Sequence, residues 1–180
     1  YYYLDMFPIK IKNKAEKIVK LCLKKKIKLA FAESCTGGML SSLITSIPNS
    51  SKIFSCSYIT YSNFSKVKIL GISEKTIKKF GAVSHEVAIE MANNVAFKAK
   101  ADIGIGITGI AGPGGATKNK KVGEVHIALD TKGATRTLQL KLKGSRNHIR
   151  LSSVDSALDL LIGYILKPDV TKDPDWEFVK

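Results

Sequence analysis

Short buried strands alternate with amphipathic helices along most of this chain. Apolar residues recur at helical spacing over residues 13–26, and residues 28–32 then have the pattern of a short buried strand. Near the C-terminus, residues 122–130 and 135–142 predict an antiparallel hairpin, and a last helix is predicted over 145–166. This alternation predicts an α/β fold, a three-layer α/β/α sandwich in a single domain with a mixed, mostly parallel sheet.

The elements between these ends continue the alternation. Helices are predicted at 39–47, 65–70 and 84–100, strands at 53–60 and 102–108, and helix caps at Asn13, Ser73 and Ser84. The folded domain is assigned to residues 12–166, between an N-terminal extension (1–11) and a polar C-terminal tail (167–180). One core is expected, because 180 residues with 44% hydrophobic content can bury a sizeable core without staples.

The strong positive charge of the chain invites comparison with nucleic-acid-binding proteins. The formal net charge is +14, but only three of the 29 basic residues are arginines (Arg136, Arg146 and Arg150), which leaves 26 scattered lysines. Arginine suits planar recognition of phosphates and bases, whereas lysine is a hydrated point charge that often only solvates a surface. Nucleic acid is therefore ranked second as a partner class, behind a small molecule.

The cysteines, histidines and apolar runs of the sequence indicate the cellular compartment and whether a metal or membrane site is expected. The three cysteines are odd in number and show no metal-ligand spacing, which favours a reducing, cytoplasmic setting over a disulfide framework. No apolar run reaches the roughly 18–20 residues that cross a bilayer, so no membrane partner is predicted. His85, His126 and His148 share no ligand spacing, and neither a metal nor a cofactor is predicted.

Four polar segments fall where strands end or helices begin, which is where open α/β sheets bind ligands. The first segment, residues 33–38, contains Ser34, Thr36, Gly37 and Gly38 at a helix start. Unpaired N–H groups and the helix dipole favour negative charge there, and the glycines permit close approach of a substrate. Taken alone, Ser34 or Thr36 is interpreted more simply as a helix cap.

The second and third segments supply a possible base and a possible anion site. Tyr61 ends a strand and Lys66 opens the next helix, and a lysine whose pKa is lowered by burial can activate a serine. By residue type alone, Lys66 would be a solvated surface residue. Thr108, Gly109 and Gly112 belong to a glycine-rich loop whose N–H groups can converge on an anion, although a wide turn is a serious alternative.

Arg146 and Arg150 form the fourth segment, at the start of the last predicted helix. Their spacing places both side chains on one helix face near its positive end, where cations are electrostatically misplaced unless an anion is bound. A phosphate clamp is therefore favoured over two surface charges.

In order along the chain, these motifs resemble those of the CinA C-terminal domain family. The matching stretches are Ala-Glu-Ser-Cys-Thr-Gly-Gly at 32–38, Tyr-Ser-Asn at 61–63 with Lys66, Gly-Ala-Val-Ser at 81–84, Thr-Gly-Ile-Ala-Gly-Pro at 108–113, Val-Gly at 122–123, and Gly-Ser-Arg at 144–146 through Arg150. The resemblance covers roughly residues 12–165 and implies a three-layer α/β/α domain. Longer relatives carry an additional N-terminal domain, and a stand-alone form is expected here.

The resemblance also implies an activity. Active members of the family are nicotinamide-nucleotide amidohydrolases, which convert nicotinamide mononucleotide to nicotinic acid mononucleotide and ammonia without a metal. By that similarity Ser34 is the nucleophile, Lys66 its base and Tyr61 a hydrogen-bonding helper. We expect N–H groups around residues 36–38 to stabilise the oxyanion, and Arg146, with Arg150 and the 108–115 loop, to hold the ribose phosphate. A homo-oligomer is also expected.

Departures from the family pattern and two alternatives remain. Phe64 and Ser65 replace a common acidic residue and alanine, and Lys121 replaces a usual proline, which bears on substrate preference more than on the fold. Cys35 is an alternative nucleophile, since a thiol beside a helix N-terminus can have a lowered pKa. A non-catalytic nucleotide- or nucleic-acid-binding module on the same fold is the second alternative.

Overall fold

The computed structural model describes residues 6–132 and 134–168. Within them lie five strands and six α-helices. The strands are β1 (Leu29–Glu33), β2 (Phe54–Ile59), β3 (Ile103–Gly109), β4 (Glu124–Thr131) and β5 (Ala134–Lys141). The helices are α1 (Ile9–Lys25), α2 (Met39–Thr45), α3 (Asn63–Ser65), α4 (Glu74–Phe80), α5 (His85–Ala99) and α6 (Arg146–Leu166). A short 3₁₀ turn (Ser50–Lys52) precedes β2, and a π-helical turn (Lys66–Leu70) continues α3.

The five strands form one mixed sheet in the order β2-β1-β3-β4-β5. β1 pairs in parallel with both β2 and β3, whereas β4 pairs antiparallel with β3 and β5. Four strands therefore run in one direction and β4 alone opposes them. The carboxyl ends of β1, β2 and β3 meet at one edge of the sheet, which is where ligands bind in such folds.

Helices cover both faces of the sheet, which confirms the predicted α/β/α sandwich. On one face α1, α2 and α6 pack against the larger core cluster, which includes Ile18, Phe31 and Leu158. On the other face α5, α4 and the π-helical turn enclose a smaller cluster, which includes Leu70 and Met91. Successive residues of a strand point to opposite faces, so β1 sends alternate side chains into the two clusters.

Glycines in β3 let α5 lie unusually close to the sheet. A Cβ atom at Gly104 would collide with the backbone carbonyl of Ala92, and one at Gly106 with that of Ala88. The strand therefore needs glycine at both positions for the helix to pack where it does. This contact fixes α5, and with it the segment 81–84 that precedes the helix.

The start of α1 differs from the sequence prediction. The helix begins at Ile9 after Pro8, without a side-chain cap, and Asn13 is an exposed residue inside it rather than its cap. Phe7 and Ile11, which fall in the segment assigned to the N-terminal extension, are buried in the core and extend the apolar stripe of the helix. Packing rather than capping thus determines where α1 begins. Residues 1–5 and most of the predicted tail lie outside the described residues.

Candidate active site

Ser34 lies directly after β1, at the edge where the parallel strands end. Its N–H donates to the carbonyl of Ile107 in β3 at 3.0 Å, and its own carbonyl accepts from the N–H of Gly37 at 3.0 Å. These two bonds tie the serine to the sheet on one side and close a tight turn on the other. The Ser34 residue is only 7% exposed, so its hydroxyl sits in a confined place.

Lys66 reaches Ser34 from the neighbouring strand connection. Its Nζ donates to Ser34 Oγ at 2.9 Å and to the carbonyl of Thr60 at 2.7 Å, and the residue is 1% exposed. Burial lowers the pKa of Lys66 to about 8, because a charged ammonium is poorly solvated there. A substantial neutral fraction near neutral pH makes this amine able to take a proton from the serine.

A cleft of about 270 Å³ opens onto the Ser34–Lys66 pair. It is lined by seven of the residues that the sequence singled out: Ser34, Tyr61, Lys66, Thr108, Gly109, Gly112 and Arg146. They come from the ends of β1, β2 and β3 and from the start of α6, so the topology brings together segments far apart in the chain.

Arg146 spans the mouth of this cleft. One terminal nitrogen donates to the carbonyl of Gly112 at 2.6 Å and the other to the hydroxyl of Tyr61 at 2.8 Å. Both acceptors are neutral, and no carboxylate pairs with Arg146 among the described residues. Tyr61 is 60% exposed, which places this end of the cleft at the protein surface. A cationic group held only by neutral acceptors at a cleft entrance is well suited to bind an anion.

Thr108, at the end of β3, also lines the cleft. Its hydroxyl donates to the carbonyl of Ala82 at 2.8 Å, which fastens the segment 81–84 to the end of β3. Ser84 then caps α5 as predicted, because its hydroxyl accepts from the N–H of Val87 at 3.3 Å. The Thr108 hydroxyl is thus used to shape the cleft.

Arg150 does not line this cleft, unlike Arg146 one turn earlier in α6. It borders a separate cavity of about 410 Å³ together with Gly37, Gly38 and residues of α2, α6 and the N-terminal segment. One of its terminal nitrogens donates to the carbonyl of Thr36 at 2.8 Å. Of the predicted substrate-binding residues, four therefore line the Ser34 cleft and three border the second cavity, whereas the fully buried Thr36 lines neither.

Glu33 is a site residue to which the sequence interpretation gave no role. This fully buried carboxylate accepts from the N–H groups of Gly38 (3.0 Å), Leu40 (3.2 Å) and Ser41 (2.9 Å), and from the Ser41 hydroxyl (2.5 Å). It satisfies the amino end of α2, which a serine or threonine cap usually does. In the sequence, the only sign of this capping role is a glutamate shortly before a predicted helix start, and the adjacent Ser34 is the more usual type of cap.

This arrangement corrects the expected oxyanion donors. The N–H of Gly37 is taken by Ser34 and that of Gly38 by Glu33, so neither is free for a substrate. The N–H groups of Cys35 and Thr36 donate to no other residue in the described part of the chain. The Thr36 side chain is itself fully buried, and its hydroxyl has no partner among the described residues.

Residues 11–165 match the family model described as the CinA C-terminal domain. The chain belongs to this family. A competence-damage inducible protein of Caldicellulosiruptor saccharolyticus is 47% identical over 146 residues, which cover 81% of this chain and 36% of that relative. A CinA-like protein of Kosmotoga olearia is 47% identical over 146 residues, which cover 81% and 35%. The chain thus spans about a third of the length of these curated relatives.

Solved structures show the same fold for other CinA proteins. The competence/damage inducible protein CihA of Agrobacterium tumefaciens superposes with a TM-score of 0.87 at 34% identity, covering 89% of this chain and 98% of that one. A CinA superfamily protein of Escherichia coli gives a TM-score of 0.82 at 32% identity, covering 84% and 88%. These names refer to competence and damage and specify no reaction.

The thiol of Cys35 in this CinA domain is poorly suited to act as the nucleophile, because it is protonated. Cys35 borders the cleft, but burial raises the pKa of its thiol to about 11. The helix N-terminus was expected to lower that pKa, and desolvation has the larger effect. The thiol therefore stays protonated at neutral pH, which favours Ser34.

The three departures from the usual CinA pattern lie outside the cleft lining. Phe64 is 71% exposed, and Lys121 is exposed at the end of the glycine-rich loop. Ser65 forms a reciprocal capping box with Ser62, since each hydroxyl accepts from the other residue's N–H. That box stabilises the turn that carries Lys66.

No helix of the described residues combines the length and the apolar character that a membrane crossing requires.

Proposed function

We propose that this CinA domain deamidates nicotinamide mononucleotide to nicotinic acid mononucleotide and ammonia, with Ser34 as nucleophile and Lys66 as base. The observation that carries the proposal is the buried Lys66 amine at 2.9 Å from Ser34 Oγ. A serine needs a neighbouring base to attack a carboxamide, and a desolvated lysine with a pKa of about 8 fits that requirement. The family resemblance supplies the substrate.

The first half of the reaction forms an ester on Ser34. As the hydroxyl oxygen adds to the carboxamide carbon, Lys66 Nζ takes its proton and the carbonyl electron pair moves onto oxygen. The oxyanion then collapses, the C–N bond breaks, and Lys66 returns the proton to the departing nitrogen, which leaves as ammonia. Next to Ser34, the Thr36 N–H donates to no other residue among those described and the Cys35 N–H donates only to its own thiol, so we assign the oxyanion to these two donors.

The second half regenerates the serine. Lys66 takes a proton from water, the hydroxide adds to the ester carbonyl, and Ser34 leaves as a carboxylic acid forms, which then loses its proton to solvent. Lys66 passes the proton back to Ser34 Oγ. Its second hydrogen bond, to the Thr60 carbonyl at 2.7 Å, keeps the amine in one position through both halves.

Arg146 is proposed to bind the ribose phosphate. Its guanidinium is held between Gly112 and Tyr61, in the lining of the same cleft as the buried Ser34. Planar guanidinium groups bind phosphate oxygens in pairs, and both present partners are neutral groups that a phosphate can replace. Tyr61 then acts through Arg146 rather than on the amide carbon.

The test is direct turnover with matched variants. Purified protein incubated with nicotinamide mononucleotide should release ammonia and nicotinic acid mononucleotide in equal amounts. Ser34→Ala should reduce kcat by about a thousandfold or more, whereas Cys35→Ala should retain most of it. Arg146→Gln should mainly raise KM. Saturable binding of the nucleotide without release of ammonia would instead establish the non-catalytic binding module.

A further inference from the structure

The turn after β1 is held from both sides by charged side chains. Residues 34–37 close a tight turn through the Gly37 N–H and the Ser34 carbonyl. On the side of α2, Glu33 binds three backbone N–H groups. On the side of α6, Arg150 binds the Thr36 carbonyl. Neither charged group lines the cleft that contains Ser34.

We propose that Glu33 and Arg150 are positioning residues, which fix the turn so that the N–H groups of Cys35 and Thr36 are held ready to bind the oxyanion. The proposal rests on the proposed serine chemistry, but not on the identity of the amide substrate. It changes the role of Arg150 from binding substrate, as the sequence suggested, to holding the backbone that stabilises the reaction.

The Glu33 contacts remove the N–H groups at the start of α2 from competition with those two donors. A helix start leaves several N–H groups without partners, and they would compete for any anion near Ser34. Glu33 occupies those of Gly38, Leu40 and Ser41, and its burial keeps water out of these bonds. The donors at 35 and 36 are therefore the ones that remain for an oxyanion formed on Ser34.

The Arg150 contact acts on the orientation of one peptide plane. The carbonyl of Thr36 accepts from the Arg150 guanidinium at 2.8 Å and from the N–H of Met39 at 3.2 Å. Rotation of the 36–37 peptide would break both bonds, and rotation of backbone next to an oxyanion site displaces its donors. Catalysis is sensitive to displacements of about 1 Å, which can cost on the order of a hundredfold in rate.

The experiment measures the reactivity of Ser34 toward a small fluorophosphonate, which does not depend on the natural substrate. The reagent phosphonylates an activated serine, releases fluoride, and places its P=O oxygen in the oxyanion site. The second-order labelling rate, followed by mass spectrometry of the Ser34 peptide, should fall between about tenfold and a hundredfold in Arg150→Gln and Glu33→Gln. Arg150→Lys should recover part of the loss, and Ser41→Ala should lose less than Glu33→Gln.

Two further readouts separate positioning from binding and from misfolding. The pH midpoint of labelling should stay near that of the parent in Arg150→Gln, because Lys66 is untouched. With nicotinamide mononucleotide, Arg150→Gln should lower kcat at nearly constant KM, the opposite of Arg146→Gln. If Glu33→Gln does not fold, the Arg150 variants alone decide.

The proposal is overturned if Arg150→Gln labels as fast as the parent or raises only KM, or if the parent serine is not labelled at all. A parent that is labelled at Ser34 but does not release ammonia would refute the proposed substrate and leave the positioning role intact.

Discussion

At the scale of single residues, the burial of Lys66 predicts how activity depends on pH. Only the neutral amine can take the proton of Ser34, and burial lowers its pKa to about 8. The value of kcat/KM should therefore rise about tenfold per pH unit below pH 8 and level off above it. Steady-state rates from pH 6.5 to 9.5 measure this, with Lys66→Arg as an inactive control. A profile flat from pH 6.5 upward would show that another group is the base.

The same burial predicts a pH-dependent cost in stability. Between pH 8 and 10.5 the unfolded chain binds the Lys66 proton while the folded protein has released it, so folding becomes more favourable as pH rises. The free energy of unfolding of the parent should therefore gain about 2 kcal/mol relative to Lys66→Met between pH 7 and 9.5. Urea unfolding of both proteins at each pH gives this difference, and other groups cancel in it. A difference that stays constant over this range would mean that Lys66 remains charged in the folded protein.

The roles of individual residues in the candidate site could be predicted only in part from the sequence. Arg146 stands out because a cation at a helix start is electrostatically misplaced, whereas Ser34 alone could equally be a helix cap. Lys66 is one of 26 lysines, and its place at a predicted helix start made it a possible base, although by residue type alone it would be a solvated surface residue. The role of Glu33 depends on how the backbone folds back over its side chain, and that of Arg150 depends on a contact 114 positions away. Residue spacing does not encode either contact.

At the scale of elements, the contact between β3 and α5 leaves no room for an added side-chain carbon. A methyl group at Gly106 would overlap the backbone of Ala88 and Ala92, which cannot move without shifting α5. Gly106→Ala should therefore lower the free energy of unfolding by about 2 kcal/mol or more. Gly114→Ala is the matched control, since no atom lies within 4 Å of the added carbon. Equal stability of the two variants in guanidinium would contradict the described packing.

Periodicity predicted most elements, but not what they pack against. The strand at 102–108 and the helix at 84–100 were expected close to where β3 and α5 lie. Their intimate contact depends on two glycines that, in sequence, only weaken a strand. The start of α1 was misplaced for a related reason, because Phe7 and Ile11 join the core across a lysine-rich stretch.

At the scale of the whole molecule, the charge of +14 should act on the approach of substrate. A strongly basic surface attracts a phosphate-bearing molecule, and salt screens that attraction over about 8–10 Å at ordinary ionic strength. The kcat/KM for nicotinamide mononucleotide should therefore fall a few-fold between about 20 and 200 mM salt. Nicotinamide riboside, which lacks the phosphate, is the control and should show little change. An equal salt effect on both substrates would assign it to the protein rather than to steering.

The burial of Lys66 also matters for attaching this domain to a solid support. Lys10, Lys17 and Lys20 are exposed on α1, whereas the amine of Lys66 is inside the molecule. Resins that react with amines should therefore couple through the outer lysines and spare the base. Immobilised protein should keep most of its turnover per molecule, and peptide mapping after coupling should find Lys66 unmodified. The exposed lysines would then serve as attachment points that spare the candidate active site.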